Sequence, residues 1–196
     1  MQRLKFHIAG DSSNRVLNPR RQNILTNDPS LTAWGWAVLT PSGKILNAGA
    51  IKTQPMDKKL RIRKGDDRVR RVNEINNQLL RIIADNNVKL ILSELPHGSQ
   101  SATAALMIGI TTGIMQTIGD CIGVAVEWYS EADAKQAITG KRSVSKEEMI
   151  KTIGGLYADA PFTGTKWKDE AIADALAIHH LAVQVSPALK IIQSIL

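Results

Sequence analysis

The 196-residue sequence has one cysteine, few aromatic residues and no long apolar run. The single Cys121 excludes an internal disulfide and a cysteine-cluster zinc site, and its apolar neighbours predict a buried, unreactive thiol in a reducing compartment. Apolar stretches long enough to span a membrane are missing, and residues 1–23 lack the apolar core of a signal peptide. These absences predict a soluble, cytoplasmic protein that does not bind membranes.

Acidic residues are outnumbered, because 18 Asp and Glu stand against 25 Lys and Arg, a formal net charge of +7. This excess favours an acidic partner, either nucleic acid or anionic lipid, and does not choose between them. The 43% hydrophobic content suffices for one globular domain with a core. We expect a basic extension over residues 1–23, the domain over 24–184, and a C-terminal tail over 185–196 that either docks as a helix or binds a partner.

Turn residues and apolar periodicity divide the chain into strands and helices. Three short meander strands come first, followed by a helix, a strand, a second helix, a fifth strand and three further helices. This order predicts an α/β, ribonuclease H-like fold with a mixed five-stranded sheet flanked by helices. The predicted ranges are 24–26, 34–39, 45–52, 69–83, 88–94, 101–118, 124–128, 131–138, 145–157 and 167–184.

Four acidic residues fall where this fold would bring them together. Asp28 ends the first strand, Glu94 ends the fourth, and Glu170 and Asp174 lie on one face of the last long helix. Asp28 alone is equally compatible with an ordinary Asp-Pro turn, whereas a glutamate that continues an apolar strand needs a cation or an arginine beside it. Asp169 points about a hundred degrees away from its neighbour on an ideal helix and is interpreted as a helix-start acid.

Carboxylate ligands suit Mg²⁺ or Mn²⁺ better than zinc. Two such ions about 4 Å apart can activate a water molecule and stabilise the leaving oxygen of a phosphodiester. His179 and His180 are interpreted as ordinary core or surface residues rather than ligands. The acids and the basic surface together predict a metal-dependent nuclease.

Several motifs resemble, in their order along the chain, the RuvC family of Holliday-junction resolvases. The resemblance covers about residues 24–181 and implies a homodimeric endodeoxyribonuclease that resolves four-way DNA junctions by paired nicks in opposite strands. It also implies Mg²⁺, at two ions per site, with Mn²⁺ as a substitute. The motifs are DPSLTAWGWAV from Asp28, ILSE ending at Glu94, the small-residue helix from Ser101, KQAITG from Lys135 with Lys146 after it, and DALAI from Asp174.

By this resemblance Asp28, Glu94 and Asp174 are metal ligands, and the fourth acid departs from the family pattern. Bacterial members place it three residues before the position of Asp174, where this chain has an alanine, whereas Glu170 lies four before. Both spacings project to the same helix face, and mitochondrial and poxviral resolvases that resemble the family use four. Glu170 is therefore the expected fourth ligand, with Asp169 as the alternative. The altered spacing and the N-terminal extension are compatible with a phage-type or plasmid-borne member and do not decide the origin.

Basic residues supply the predicted DNA contacts. By resemblance, Lys135 and Lys146 lie near the scissile phosphate, although without it they would be interpreted as solvated helix residues. Lys141 and Arg142, in the loop between them, are expected as additional contacts to the DNA backbone. His97 stands where bacterial members carry a base-probing aromatic, which leaves sequence preference and junction opening undecided. Phosphate contacts without base specificity are expected from the basic segment at Lys58, Lys59, Arg61, Arg63, Lys64 and Arg68.

The helix from Ser101 carries Gly109 and Gly113, four residues apart, which permits close approach of another helix. By resemblance this helix forms the dimer interface, and simple packing on the sheet is the alternative. A kinase or actin-like ATPase would need a second glycine-rich phosphate loop before the last acid, which is missing. A broader nuclease for flaps, forks and three-way branches, or a noncatalytic junction-binding protein, remains as an alternative function.

Overall fold

The computed structural model describes residues 22–195, and residues 1–21 of the expected extension lie outside this range. The strands are β1 (Asn23–Asp28), β2 (Ala33–Leu39), β3 (Ile45–Lys52), β4 (Val88–Leu95) and β5 (Ala125–Ser130). The helices are α1 (Lys64–Asp85), α2 (Ala102–Ile122), α3 (Glu131–Thr139), α4 (Lys146–Leu156), α5 (Lys166–Val185) and α6 (Pro187–Ser194), with a 3₁₀ turn at Lys58–Leu60.

The five strands form one mixed sheet in the order β3-β2-β1-β4-β5. The first three strands pair antiparallel as a meander, whereas β4 lies parallel to β1 and β5 lies parallel to β4. The connections to β4 and β5 run through α1 and α2, because parallel neighbours need a crossover. This topology confirms the predicted ribonuclease H-like fold.

Alternate strand residues pack on opposite faces of the sheet. On one face, Leu25 and Ile91 belong to an apolar cluster with residues of α1 and α2. On the other face, Ile24 and Leu92 pack in a second cluster with α5, α4 and α6. Helix α5 therefore lies against the centre of the sheet, and its buried surface explains why its two acids stand in an otherwise small and apolar stretch.

Helix α1 begins earlier than its apolar periodicity predicts. Lys64 and Arg68 were expected in a linker, but both lie on the first turns of this helix. Asp66 and Asp67 occupy that first turn, where acidic side chains are favoured by the helix dipole. The basic segment is therefore part loop and part helix.

The C-terminal residues pack as a docked helix. Leu189 and Ile192 of α6 are buried in the cluster that contains α5. Ser186 caps the helix by accepting a hydrogen bond from the Leu189 amide, and the Glu127 carboxylate on β5 accepts one from the Ala188 amide. This segment was expected either to dock as a helix or to bind a partner, and in the structure it is a docked helix.

Two expectations about apolar residues are wrong. Cys121 lies exposed on the last turn of α2 rather than in the core. By length and composition α2 could cross a membrane, and the bent pair α5–α6 passes the same test. Because α2 joins two neighbouring strands and buries Ile114 and Met115 against the sheet, we interpret it as a crossover helix. Trp34 is fully buried, and the other three tryptophans are partly buried.

Gly35 lets α5 approach β2 closely enough to bring the acids of α5 to the sheet. A Cβ at this position would lie 1.9 Å from the backbone oxygen of Ala171 on α5. We expect Gly35→Ala to lower the free energy of unfolding in urea by about 1–3 kcal/mol or more, because α5 must move away. Gly155→Ala on α4, where a Cβ meets nothing within 4 Å, is the matched control and should be neutral or slightly stabilising. Equal stability of the two variants would contradict this close packing.

Candidate active site

The register between β1 and β4 places two acids side by side at one edge of the sheet. Asn27 pairs with Ser93 in the parallel ladder, so Asp28 and Glu94 are the next residues on their strands. A buried side-chain contact locks this register, because the Ser93 hydroxyl donates to Asn27 Oδ1 at 2.9 Å. The Asn27 amide in turn donates to the carbonyl of Leu92 at 3.3 Å.

Strand alternation turns both acids toward α5. Ile24 and Leu92 lie in the apolar cluster that contains α5, and Asp28 and Glu94 follow them at even spacing on the same strands. Thr26, between Ile24 and Asp28, donates its hydroxyl hydrogen bond to the backbone oxygen of Ala175 on α5. The two strand-end carboxyls therefore face the helix that carries Asp174.

Burial and mutual repulsion raise the pKa values of these acids. Burial, together with the charges of Asp28 and Glu131, raises the pKa of Glu94 to about 9. The pKa of Asp28 rises to about 7 through burial and the charge of Asp174, and burial raises that of Asp174 to about 6. Among the described residues, no hydrogen bond or ion pair reaches these three carboxylates. The site therefore favours protonated carboxyls in the metal-free protein, because the described residues supply no direct basic contact that would stabilise the charged forms.

Two lysines stand next to this cluster, and each is paired with an acid. Lys146 Nζ lies 2.9 Å from Glu170 Oε2, and this hydrogen bond raises the pKa of Lys146. Lys135 pairs with Glu131 one helical turn earlier on α3. The positive charges of both lysines lower the pKa of Asp28 and of Asp174, so both lie within electrostatic range of the site.

Glu131 is a fifth acid that the sequence reasoning missed. It is the first residue of α3, directly after β5, whose end lies beside that of β4. Its charge raises the pKa values of Asp28, Glu94 and Asp174. The sequence position of Glu131 could have identified it. Strand β5 is the third parallel strand to end at this edge, and Glu131 directly follows it.

The structure separates the two neighbouring acids at the start of α5. Asp169 is buried and accepts hydrogen bonds from the amides of Thr163 and Gly164 at 2.8 and 2.7 Å. Glu170, in contrast, points toward Lys146 at the candidate site. Asp169 thus holds the loop before α5, and Glu170 is the better placed fourth acid.

The histidines at positions 179 and 180 belong to the packing of α5. Burial lowers the pKa of His179 to about 4, and its Nδ1 lies 2.7 Å from the hydroxyl of Tyr157. His180 is partly buried, and burial lowers its pKa as well. Both are therefore placed as neutral packing groups away from the acids.

The donor set fits a hard divalent cation, although it is not a finished ligand sphere. Over residues 22–195, no group of three or more His, Cys, Asp or Glu side chains is arranged so that it could hold a metal ion. The cluster offers only carboxylate oxygens, which are the ligands that Mg²⁺ prefers. A bound cation would stabilise the charged form of these carboxyls. Asp28, Glu94 and Asp174 are the residues that could hold it, with Glu170 released from Lys146.

A buried arginine fixes the loop that follows Asp28. Arg71 on α1 donates from Nε to the hydroxyl of Thr53 at 2.8 Å and from Nη2 to the carbonyl of Leu31 at 3.0 Å. Arg71 follows the basic segment in the sequence, but in the structure it is an internal brace between α1, the β1–β2 loop and the end of β3. Such a buried charge is tolerated because its donors are satisfied.

The predicted DNA-contact residues lie in two regions, and they differ in what they contact. In the α3–α4 region, Lys141 pairs with Glu148 and Arg142 with Asp133. In the basic segment, Arg63 pairs with Asp66. Among the described residues, no ion pair involves Lys58, Lys59, Arg61, Lys64, Arg68 or His97.

Curated relatives that are all named crossover junction endodeoxyribonuclease RuvC match most of the chain. The protein from Nitratidesulfovibrio vulgaris strain DP4 is 27% identical over 158 residues, 79% of this chain and 87% of the relative. Those from Parvibaculum lavamentivorans and Acidiphilium cryptum are 27% and 26% identical, covering 77% and 84% of this chain and 80% and 95% of the relatives. No protein-family model matches the chain.

Solved structures share the fold. T. thermophilus RuvC in complex with Holliday junction substrate superposes with a TM-score of 0.64 at 22% identity, covering 83% of this chain and 93% of the other. The yeast mitochondrial Holliday junction resolvase Ydc2 superposes with a TM-score of 0.54 at 10% identity, covering 90% and 87%. Fold, order of acidic motifs and repeated similarity to curated relatives agree, and over most of its length the chain is similar to RuvC proteins.

Proposed function

We propose that this protein is a structure-selective endodeoxyribonuclease that resolves four-way DNA junctions by paired nicks in opposite strands. The observation that carries the proposal is the convergence of Asp28, Glu94 and Asp174 at one edge of the sheet. Glu94 is buried, Asp28 and Asp174 are partly buried, and none of the three forms an ion pair within residues 22–195. The RuvC relatives support the reaction, and the solved complex of one such protein with a Holliday junction supports the substrate.

In this proposal Asp28, Glu94, Glu170 and Asp174 hold Mg²⁺, two ions per site, with Mn²⁺ as a substitute. The metal supplies activation of water and neutralisation of charge at the phosphodiester. The carboxylates hold it at the strand ends, where the locked register of β1 and β4 leaves them little freedom to move. Preorganised charges of this kind stabilise a transition state without a reorganisation cost.

Lys135 and Lys146 contact the DNA phosphate next to the metal in this proposal. In the DNA-free protein each lysine is held by an acid, Glu131 or Glu170. Metal binding to Glu170 leaves the Lys146 ammonium group free for a phosphate oxygen. Phosphate contacts further out come from Lys141 and Arg142 in the α3–α4 region and from the basic segment between β3 and α1.

The active unit is proposed to be a soluble, cytoplasmic homodimer. On α2, Gly109 and Gly113 are exposed, and a Cβ at either would meet nothing within 4 Å. The neighbouring Leu106 is also half exposed, so within residues 22–195 this apolar helix face is not covered by other parts of the chain. A two-fold axis at this face would present two equivalent sites to two equivalent strands.

The first test removes one ligand. We expect Asp28→Asn to reduce Mg²⁺-dependent cleavage of a labelled four-way junction by at least about a hundredfold while junction binding is kept. Asp159→Asn, at an exposed acid in the turn after α4, is the matched control and should cut normally. If the wild-type protein binds the junction but does not cut it in Mg²⁺ or Mn²⁺, the nuclease proposal is wrong and a junction-binding function takes its place. Equal cutting of flaps and forks would broaden it to branched DNA.

A second test separates the two neighbouring acids on α5. Glu170→Gln should lose most cleavage with little change in thermal stability, because Glu170 lies partly exposed beside Lys146. Asp169→Asn should lower the melting temperature, because a weakened acceptor remains for the loop amides, and its folded fraction should still cut. The reverse pattern, with activity lost only in Asp169→Asn at normal stability, would transfer the ligand to Asp169.

A third test uses pH. Because the folded state raises the pKa values of Asp28, Glu94 and Asp174, it binds protons more tightly than the unfolded chain, and the metal-free protein should lose stability as pH rises from about 4 to about 9. Protons and Mg²⁺ compete for these carboxylates, so Mg²⁺ should raise the melting temperature more at pH 9 than at pH 5.5. Differential scanning fluorimetry measures both. A Mg²⁺-induced shift that is the same at both pH values would count against the site.

A further inference from the structure

Lys135 lies beside the three central acids, Asp28, Glu94 and Asp174, and among residues 22–195 it pairs with none of them. Its positive charge lowers the pKa of each of these acids, so its ammonium group lies within electrostatic range of all three. Lys135 pairs instead with Glu131, one helical turn earlier on α3. A lysine next to acids that have no other basic contact is expected to pair with one of them, and a competing acid must therefore hold it elsewhere.

Glu131 stands at the rim of the acid cluster because of where β5 ends. In the parallel ladder of β4 and β5, Tyr129 pairs with Glu94, and Ser130 is the last residue of β5. Glu131 follows directly and begins α3. Helix α3 is itself fixed, since Ala134 is buried in the cluster that contains α5. A change in the pairing at this rim therefore involves side chains and not the position of the helix.

The pair of Glu131 and Lys135 has the arrangement that favours an ion pair on a helix. The two residues are four apart with the acid first, which is the better order for such a pair. For each of the three central acids, the charge of Glu131 changes the pKa more than the charge of Lys135 does. This order indicates that the carboxylate of Glu131 lies nearer the central acids than the ammonium group that it holds.

A lysine that reached the central acids would compete with a metal ion for them. Its ammonium group is a compact charge with three donors on a flexible stem, and it would stabilise the charged form of a buried carboxyl. A divalent cation could then bind only after displacing the lysine. The side chain of Glu131 is 43% exposed, so its carboxylate loses less hydration on ionising than the buried carboxyl of Glu94 does. Glu131 is therefore the acid that the lysine pairs with at the smaller desolvation cost.

We propose that Glu131 is a positioning residue that keeps the Lys135 ammonium group off the three central acids, so that their carboxylates stay available to a divalent cation. The proposal rests on the proposed function, because it takes the central acids to hold Mg²⁺. The lysine is kept at the border of the site, where a DNA phosphate can replace Glu131 as its partner. Glu170 holds Lys146 in a similar way, but Glu170 is an expected ligand, whereas Glu131 acts through the lysine.

The test is a double-mutant cycle without DNA, in which differential scanning fluorimetry gives the Mg²⁺ concentration needed for a fixed rise in melting temperature. Glu131→Gln should raise this concentration about tenfold, because the released lysine competes with the cation. Lys135→Met in the wild-type protein should change it by less than about twofold, because the lysine is already held away from the acids. In the Glu131→Gln protein, Lys135→Met should restore the wild-type value, because the competitor is gone.

Cleavage of a four-way junction gives a second measurement, and two variants serve as controls. Glu131→Gln should cut more slowly than the wild type at low Mg²⁺ and approach the wild-type rate at saturating Mg²⁺, because the cation then displaces the lysine. Asp133→Asn removes an acid from the same first turn of α3, but the partner of Asp133 is Arg142. Glu74→Gln removes the acid of another pair four residues apart, with Arg70 on α1. Neither control should change the Mg²⁺ concentration needed for stabilisation.

Three results would overturn this role of Glu131. If Lys135→Met has the same effect in the wild-type and the Glu131→Gln proteins, the two charges act on the site independently. If the Mg²⁺ requirement stays raised in the double variant, Glu131 is itself a metal ligand. If Glu131→Gln leaves the requirement unchanged, the pair is an ordinary surface ion pair. A wild-type protein that Mg²⁺ does not stabilise and that does not cut the junction would instead mean that the proposed function has failed.

Discussion

Repulsion among carboxylates that cannot separate is the constraint on which this site depends. Asp28 and Glu94 end two neighbouring parallel strands, and the buried Asn27–Ser93 contact just before them prevents the strands from slipping. Helix α5 then brings Asp174 against the same edge, at a distance that Gly35 sets. The fold thus holds these acidic groups together where they are largely removed from water. Burial is the larger cause of their raised pKa values, and repulsion between neighbouring acids adds to it.

The protein offsets part of this charge with lysines, but only part. Lys135 and Lys146 each hold an acid at the border of the cluster, and the central carboxylates keep no partner among the described residues. A cation could therefore bind the carboxylates at the centre of the site, while a phosphate could bind the lysines at its border. The surplus of basic residues on the surrounding loops serves the same balance, because DNA must approach an edge that is itself negative.

Much of this could be read from the sequence, because strand ends and helix faces follow from periodicity. Asp28, Glu94 and the Glu170–Asp174 pair needed only the order of strands and a spacing of four. Contacts made by tertiary structure could not be read in the same way. The brace formed by Arg71 looked like one more solvated base, and Glu131 acquired meaning only when β5 was seen to end beside β4. Asp169 and Glu170 are adjacent in the sequence, and the hydrogen bonds from the loop amides to Asp169 are what distinguish the roles of the two acids.

The loops that carry the acids also connect the site to its surroundings. The segment after Asp28 is held by Arg71 from α1, and the segment after Glu94 leads into α2, so both helices are mechanically tied to the strand ends. Both loops also line a cavity between these two helices, through residues 29–32 and Pro96. An uncovered apolar face on α2 means that pairing with a second copy would act on them as well. The geometry of the carboxylates therefore depends on two short loops, one held by Arg71 and the other leading into α2.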